Sequence, residues 1–195
     1  HYPLRRQRQM CIRDSCKGIR MSRIIVDIPE GNSGNFYIQK VTTNYLAGRD
    51  EPQGAYTVLH KGDYNVDNIM QDTTHEYAEH QPLWDNATGD VLIGGLGIGF
   101  VNQNLIDNPA VTSVTIIEKY QEVIDLVWNS CSKDGTFTII HADIEAFEPT
   151  SHYNVGWFDT WLTDNSMTKE EYDEFITKKY SPYCDWIGIW QQMTL

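Results

Sequence analysis

Residues 90–118 constrain this chain most. Val91-Leu92-Ile93, a short apolar run, meets glycines at Gly94, Gly95, Gly97 and Gly99. A helical pattern follows, then a second apolar run, Val114 to Ile117, closed by Glu118. Strand, tight turn, helix, strand, acid is the order of a β-α-β unit in a parallel sheet. Each part has a physical task. Glycine lets the backbone turn sharply and approach a ligand where a Cβ would collide. The helix that follows aims its free N–H groups at the turn. A carboxylate at the end of the second strand accepts hydrogen bonds from two neighbouring hydroxyls, such as those of a ribose.

The flanking sequence extends the pattern. Residues 23–28 and 36–41 read as strands around a Gly/Asn/Ser turn at 31–35. Residues 55–59 read as a third strand, turned by Gly62-Asp63-Tyr64-Asn65. Residues 74–85 carry Tyr77, Ala78, Gln81 and Trp84 at helical spacing and predict one helix. After the strand at 90–94, a helix over 99–107 is stopped by Asn108-Pro109. Strand 113–117, helix 120–131, strand 136–140 and strand 153–158 follow. Thr168 and Glu171 form a capping box for a helix over 169–180, and strand 185–190 comes last. The alternation predicts an α/β fold: a Rossmann-like parallel sheet of order 3-2-1-4-5, with helices on both faces. Its crevice lies above the carboxyl ends of the first and fourth strands. A small β-rich lead-in occupies 21–72 and the Rossmann-like domain 73–195.

The remaining composition narrows the setting. Hydrophobic residues make up 41% of the 195 and charged residues 22%, which suits a packed domain rather than disorder. No apolar run approaches the roughly 18 residues of a membrane span. The first 20 residues lack the apolar centre of a signal peptide. They hold Arg5, Arg6, Arg8, Arg13, Lys17 and Arg20 against Asp14, and Met10-Cys11-Ile12-Arg13-Asp14-Ser15 resembles a translated sequencing adapter. The expectation is a non-native leader over 1–20, with Met21 as the natural start. The net charge is -12, and setting the leader aside leaves the body more acidic still. Such a body repels phosphate backbones, so nucleic acid is not an expected partner, nor, without an apolar span, is a membrane; a cationic substrate or a basic partner protein fits better, and a plain solvated acidic surface fits as well. Outside the leader, Cys131 and Cys184 are too few for a disulfide framework and predict a cytoplasmic setting.

A polar group follows each of four successive strands on the side of the crevice: the glycine turn, Glu118, Asp143 and Asp159. The turn reads Gly95-x-Gly97-x-Gly99, with Phe100 where a dinucleotide fingerprint has its third glycine, which disfavours a nicotinamide cofactor. With Glu118 placed 19 residues beyond Gly99, this resembles motif I of class I S-adenosylmethionine-dependent methyltransferases and the related spermidine synthases. The resemblance runs from about Tyr56 to Gln191 and implies S-adenosylmethionine, or its decarboxylated form, as cofactor. It sets Gly95, Leu96, Gly97 and Gly99 against the amino-acid and ribose parts. Glu118 takes the ribose hydroxyls, with Lys119 and Tyr120 beside it, and Asp143 accepts from the adenine amine. Ile144 and Tyr120 pack the adenine ring. Asp159 is the catalytic candidate, orienting an amine or acting as base, with Trp157, Phe158 and Trp161 as walls of the site or as core.

Departures from the family pattern separate the reactions. Ile93 stands two residues before Gly95, where methyltransferases usually carry an acid. Ile98 stands where spermidine synthases carry Asp. Leu162 replaces their second Asp after the fourth strand, and Asp164 lies five beyond Asp159. The expected function is methyl transfer to a small-molecule or protein acceptor. Aminopropyl transfer and a non-catalytic Rossmann-like binding domain are the alternatives. The family sheet closes with strands 6 and 7, which this chain has no residues left to build, so an abbreviated fold or a fragment is expected. His75-Glu76-Tyr77-Ala78-Glu79-His80 resembles a zinc helix only superficially. Its histidines are five apart, on different helix faces, and no metal site is expected. Oligomeric state is left open.

Overall fold

A computed structural model describes residues 23–43, 50–62, 67–162 and 165–191. The expected leader at 1–20, the start at Met21 and the substitute acid Asp164 lie outside the described residues.

The first half is a four-stranded antiparallel sheet, β1 (Gly31–Ser33), β2 (Phe36–Thr42), β3 (Ala55–Lys61) and β4 (Asp67–Gln71), with neighbours in chain order. Two short helices follow, α1 (Thr74–Glu79) and α2 (Gln81–Asn86). Then come β5 (Gly89–Gly94), α3 (Phe100–Leu105), β6 (Val111–Glu118), α4 (Gln121–Val127), β7 (Phe137–His141), β8 (Tyr153–Phe158), α5 (Lys169–Tyr180) and β9 (Cys184–Ile189). The last five strands form a parallel sheet in the order β7-β6-β5-β8-β9. Counted from β5, that order reads 3-2-1-4-5. The winding reverses at β5, and a crevice opens beyond the carboxyl ends of β5 and β8.

Two local expectations give way, and one strand is added. Residues 23–28 alternate in burial, with Ile24, Val26 and Ile28 buried and Ile25 exposed, yet they form no strand. Side chains replace the ladder. Val26 N–H donates to Asp72 Oδ2 at 3.0 Å, and Val26 O accepts from Thr57 Oγ1 at 2.6 Å. The single helix expected over 74–85 breaks at His80, which ends α1 and precedes α2 with φ -89°. Pro82 explains the break: in a continuous helix it would lack its N–H bond and clash with the carbonyl of Ala78. Strand β4 was not anticipated, because Asp67-Asn68-Ile69-Met70-Gln71 shows no apolar alternation. It pairs with β3 through an irregular register between Leu59 and His60.

Period-two alternation within the parallel strands feeds two cores. Val91, Ile93 and Trp157 enter one and Leu92 and Phe158 the other, so the strands read as unbroken apolar runs. The first core also takes Ile38, Leu59 and Met70 from the antiparallel sheet, which ties the lead-in to the Rossmann-like sheet. The second lies under α5, around Tyr172, Ile176 and Tyr180. The capping box of Thr168 and Glu171 opens that helix as the sequence predicts.

Candidate functional site

The glycine turn is held at both sides. Gly95 N–H donates to Ile117 O at 2.8 Å at the end of β6, and Gly94 O accepts from Asp159 N–H at 3.1 Å at the end of β8. Gly95 has φ +91°, and a Cβ there would come within 2.7 Å of the Asp159 carbonyl oxygen. Only glycine joins the strands this closely. Gly97 has φ +52°, and a Cβ there would collide with the thioether of Met70.

Glu118 is 5% exposed, so it is not the solvated rim carboxylate that its place after a strand suggests. Its Oε2 accepts from Leu96 N–H at 2.8 Å and its Oε1 from Tyr120 N–H at 2.8 Å. Burial pushes its pKa up, while the backbone N–H groups of Leu96, Tyr120 and Lys119 pull it back. Asp143 Oδ2 meets Lys119 Nζ at 2.8 Å, and its Oδ1 accepts from Glu145 N–H at 2.9 Å, capping the turn after β7. Burial raises Asp143, but the Lys119 ammonium and the Glu145 N–H outweigh it and hold the carboxyl below its usual range. The bond to Asp143 in turn holds Lys119 above the ordinary lysine value.

These groups line a cavity of about 730 Å³. Of the residues expected from sequence, Gly95, Gly97, Glu118, Lys119, Tyr120, Asp143, Ile144 and Asp159 border it. Leu96 and Gly99 do not. The Leu96 side chain is core, and only its N–H reaches Glu118. Gly99 opens α3 and packs on Cys131 and Val127. Trp157 and Phe158 are buried core, whereas Trp161 borders the cavity with its Nε1 donating to Met167 O at 3.1 Å.

Sequence reasoning missed the wall supplied by the antiparallel sheet: Phe36, Leu59, Lys61, Asn68, Ile69 and Met70. Phe36 sits 4.8 Å from the Tyr120 ring, tilted by 49°, and Lys61 Nζ donates to Tyr120 Oη at 3.3 Å. No local signal marks these residues as site residues, because the lead-in meets the glycine turn only in three dimensions. Trp190, after β9, and Tyr172, whose hydroxyl is 2.5 Å from Thr160 Oγ1, complete the far side.

His80 was also missed. It is 0% exposed, with Nδ1 2.9 Å from Glu76 O and Nε2 3.5 Å from Asp159 Oδ2. His75 by contrast is exposed and pairs with Glu79 at 3.1 Å, so the two histidines do face different ways.

Sheet order, glycine turn and cavity define the class: a Rossmann-like α/β domain with its site at the switch point of the sheet. No protein-family model and no curated protein sequence matches the chain. Among solved structures it is similar to a candidate RNA methyltransferase of Pyrococcus horikoshii, at 19% identity and a TM-score of 0.44, over 58% of this chain and 59% of that one. It is similar to spermidine synthase of Thermotoga maritima at 18% identity and a TM-score of 0.46, over 78% of this chain and 52% of that one. The N-methyltransferase NodS of Bradyrhizobium japonicum, solved with S-adenosyl-l-homocysteine, matches at 17% identity and a TM-score of 0.35, over 42% of this chain and 43% of that one. The chain spans less than two thirds of the length of each of them. Among the described residues no helix is long and apolar enough to cross a membrane.

Proposed function

We propose that this protein binds S-adenosylmethionine and transfers its methyl group to a small-molecule or protein acceptor. One observation carries the reading: Gly95, Gly97, Glu118, Asp143 and Asp159, from the ends of four adjacent strands, converge on a single cavity of about 730 Å³. That volume lies in the range of small-molecule cofactor sites, about 300–1,000 Å³. Each oxygen of Glu118 uses one lone pair on a backbone N–H and keeps another for a ribose hydroxyl. Lys119 holds Asp143 at the edge where the adenine amine would donate. Tyr120 and Ile144 offer the ring its apolar faces. In this reading the lead-in over 21–72 closes the cofactor cavity of the domain over 73–195.

Methyl transfer from a sulfonium is an in-line displacement: the acceptor lone pair forms the new bond as the sulfur–carbon bond breaks. The protein's task is alignment, with a base where the acceptor is protonated. Asp159 stands where it orients an amine and takes its proton. Trp161 lends a ring face to a positive charge. The acidic composition favours a cationic amine as acceptor. The buried free thiols of Cys131 and Cys184 suit a reducing, cytoplasmic setting.

Isothermal calorimetry with S-adenosylmethionine, its decarboxylated form and NAD tests the reading. Binding of S-adenosylmethionine alone, or tightest, supports methyl transfer. Preference for the decarboxylated form moves the reaction to aminopropyl transfer. Absence of binding by either sulfonium overturns the proposal.

A further inference from the structure

We propose that His80 is a positioning residue that shares a proton with Asp159 and thereby holds this carboxylate turned toward the acceptor. The inference rests on reading Asp159 as the acceptor-orienting group.

The hydrogen-bond partners fix the chemistry. Nδ1 of His80 lies 2.9 Å from the carbonyl oxygen of Glu76. A carbonyl only accepts, so Nδ1 carries a proton. In the neutral ring Nε2 is then a bare lone pair, and it is buried without a hydrogen-bond partner. The group it faces is the Asp159 carboxylate, with Oδ2 at 3.5 Å. A lone pair against an anion repels; one further proton on the pair turns the contact into a charge-assisted attraction. The ring cannot swing away, because Trp84, Phe100 and Trp157 surround it with centroids 5.7, 5.4 and 5.4 Å from its own.

The surroundings favour keeping that proton on the imidazole. Among the described residues, the charged groups facing His80 are Asp159 and, with Oε1 3.6 Å from Nδ1, Glu76. Among the described residues, α2, α3 and β8 set the rings of Trp84, Phe100 and Trp157 against it, with the apolar Val101 and Ile93 close by. Burial pulls the imidazole pKa down, but the Asp159 carboxylate, followed by Glu76, outweighs burial and holds it above the ordinary histidine value. The three groups all lie within 4.8 Å of one another. Glu76 approaches from the Nδ1 side and Asp159 from the Nε2 side. Their nearest oxygens meet different ring nitrogens, so a ring protonated at both is drawn to both carboxylates.

Nitrogen-15 NMR of the histidine rings in the full chain tests this without any ligand. The expected result is an Nδ1–H tautomer for His80 at high pH and a titration midpoint above that of an ordinary histidine. Asp159→Asn, which keeps the shape of the side chain, should lower that midpoint by about one unit or more. An Nε2–H tautomer, or a midpoint unmoved by Asp159→Asn, overturns proton sharing. Calorimetry with S-adenosylmethionine on the unmodified protein separates the two readings. If the midpoint moves and no cofactor binds, the assignment of function fails and the proton-sharing pair stands. If cofactor binds and the midpoint stays, this inference alone fails.

Discussion

The carboxylate of Glu118 and the backbone N–H of Leu96 meet at 2.8 Å, so the acid that ends β6 holds the glycine turn that ends β5. With its other oxygen on Tyr120 N–H, the same side chain also fixes the entry to α4. One carboxylate therefore shapes the wall of the cavity before any ligand arrives.

Glu118→Ala should consequently lower both stability and affinity. It leaves the N–H groups of Leu96 and Tyr120 without acceptors, at about 1–3 kcal/mol for each that stays buried. A melting temperature lower by several degrees is expected. Loss of the two ribose bonds should weaken S-adenosylmethionine by about one to three powers of ten. A paired thermal melt and calorimetric titration checks both. An unchanged melting temperature contradicts the structural role, and affinity within twofold contradicts the ribose role.

Gly95→Ala should be severe for a different reason. The new Cβ meets the Asp159 carbonyl oxygen at 2.7 Å, in a backbone conformation with φ +91°. Backbone strain of about 1–3 kcal/mol, with the collision in addition, should appear as a lowered urea midpoint. Gly135→Ala, where a Cβ meets nothing within 4 Å, is the control and should be near neutral. Equal effects at the two positions would show that the turn tolerates a side chain.

Asp159→Asn should separate chemistry from binding. The amide keeps the side-chain shape but neither carries a negative charge nor takes a proton. Turnover of an amine acceptor should fall at least tenfold, while S-adenosylmethionine affinity stays within about threefold. Single-turnover kinetics beside calorimetry measures both. Parallel losses would place Asp159 in cofactor binding instead.

Stability should also depend on pH through His80. Its folded pKa is raised, so the folded state binds this proton more tightly than the unfolded chain does. That contribution is full below the unfolded value, near 6.5, and is lost as pH rises through the folded value. Urea unfolding from pH 6 upward should show stability falling across that window, and Asp159→Asn should flatten the fall. A slope unchanged in the variant would assign the dependence to other groups.

Much of this architecture was legible along the chain, because it is written in local chemistry. Alternating apolar runs and helical spacings from Gly89 to Ile189 announce a parallel sheet, since each strand must be apolar on both faces and each helix on one. Thr168 and Glu171 mark a helix start through bonds made within four residues. The register of the glycine turn, Glu118, Asp143 and Asp159 was visible for the same reason: each acid lies next to the strand that carries it.

What the sequence could not decide depends on partners distant in the chain. Residues 23–28 have the alternation of a strand, but whether they join a ladder depends on Asp72 and Thr57, whose side chains take the backbone groups instead. Glu118 reads as a solvated acid until Leu96, 22 positions earlier, is found bonded to it. Phe36 and Met70 are ordinary core residues in sequence and become cavity wall only because the antiparallel sheet folds over the glycine turn. His80 looks like half of a failed metal motif, and its link to Asp159 spans 79 positions. Local order follows from backbone sterics and from how often apolar residues recur, and both are properties of a short stretch of chain. The protonation, burial and partners of a polar side chain depend on which distant segments exclude water from it, and the tertiary structure alone decides that.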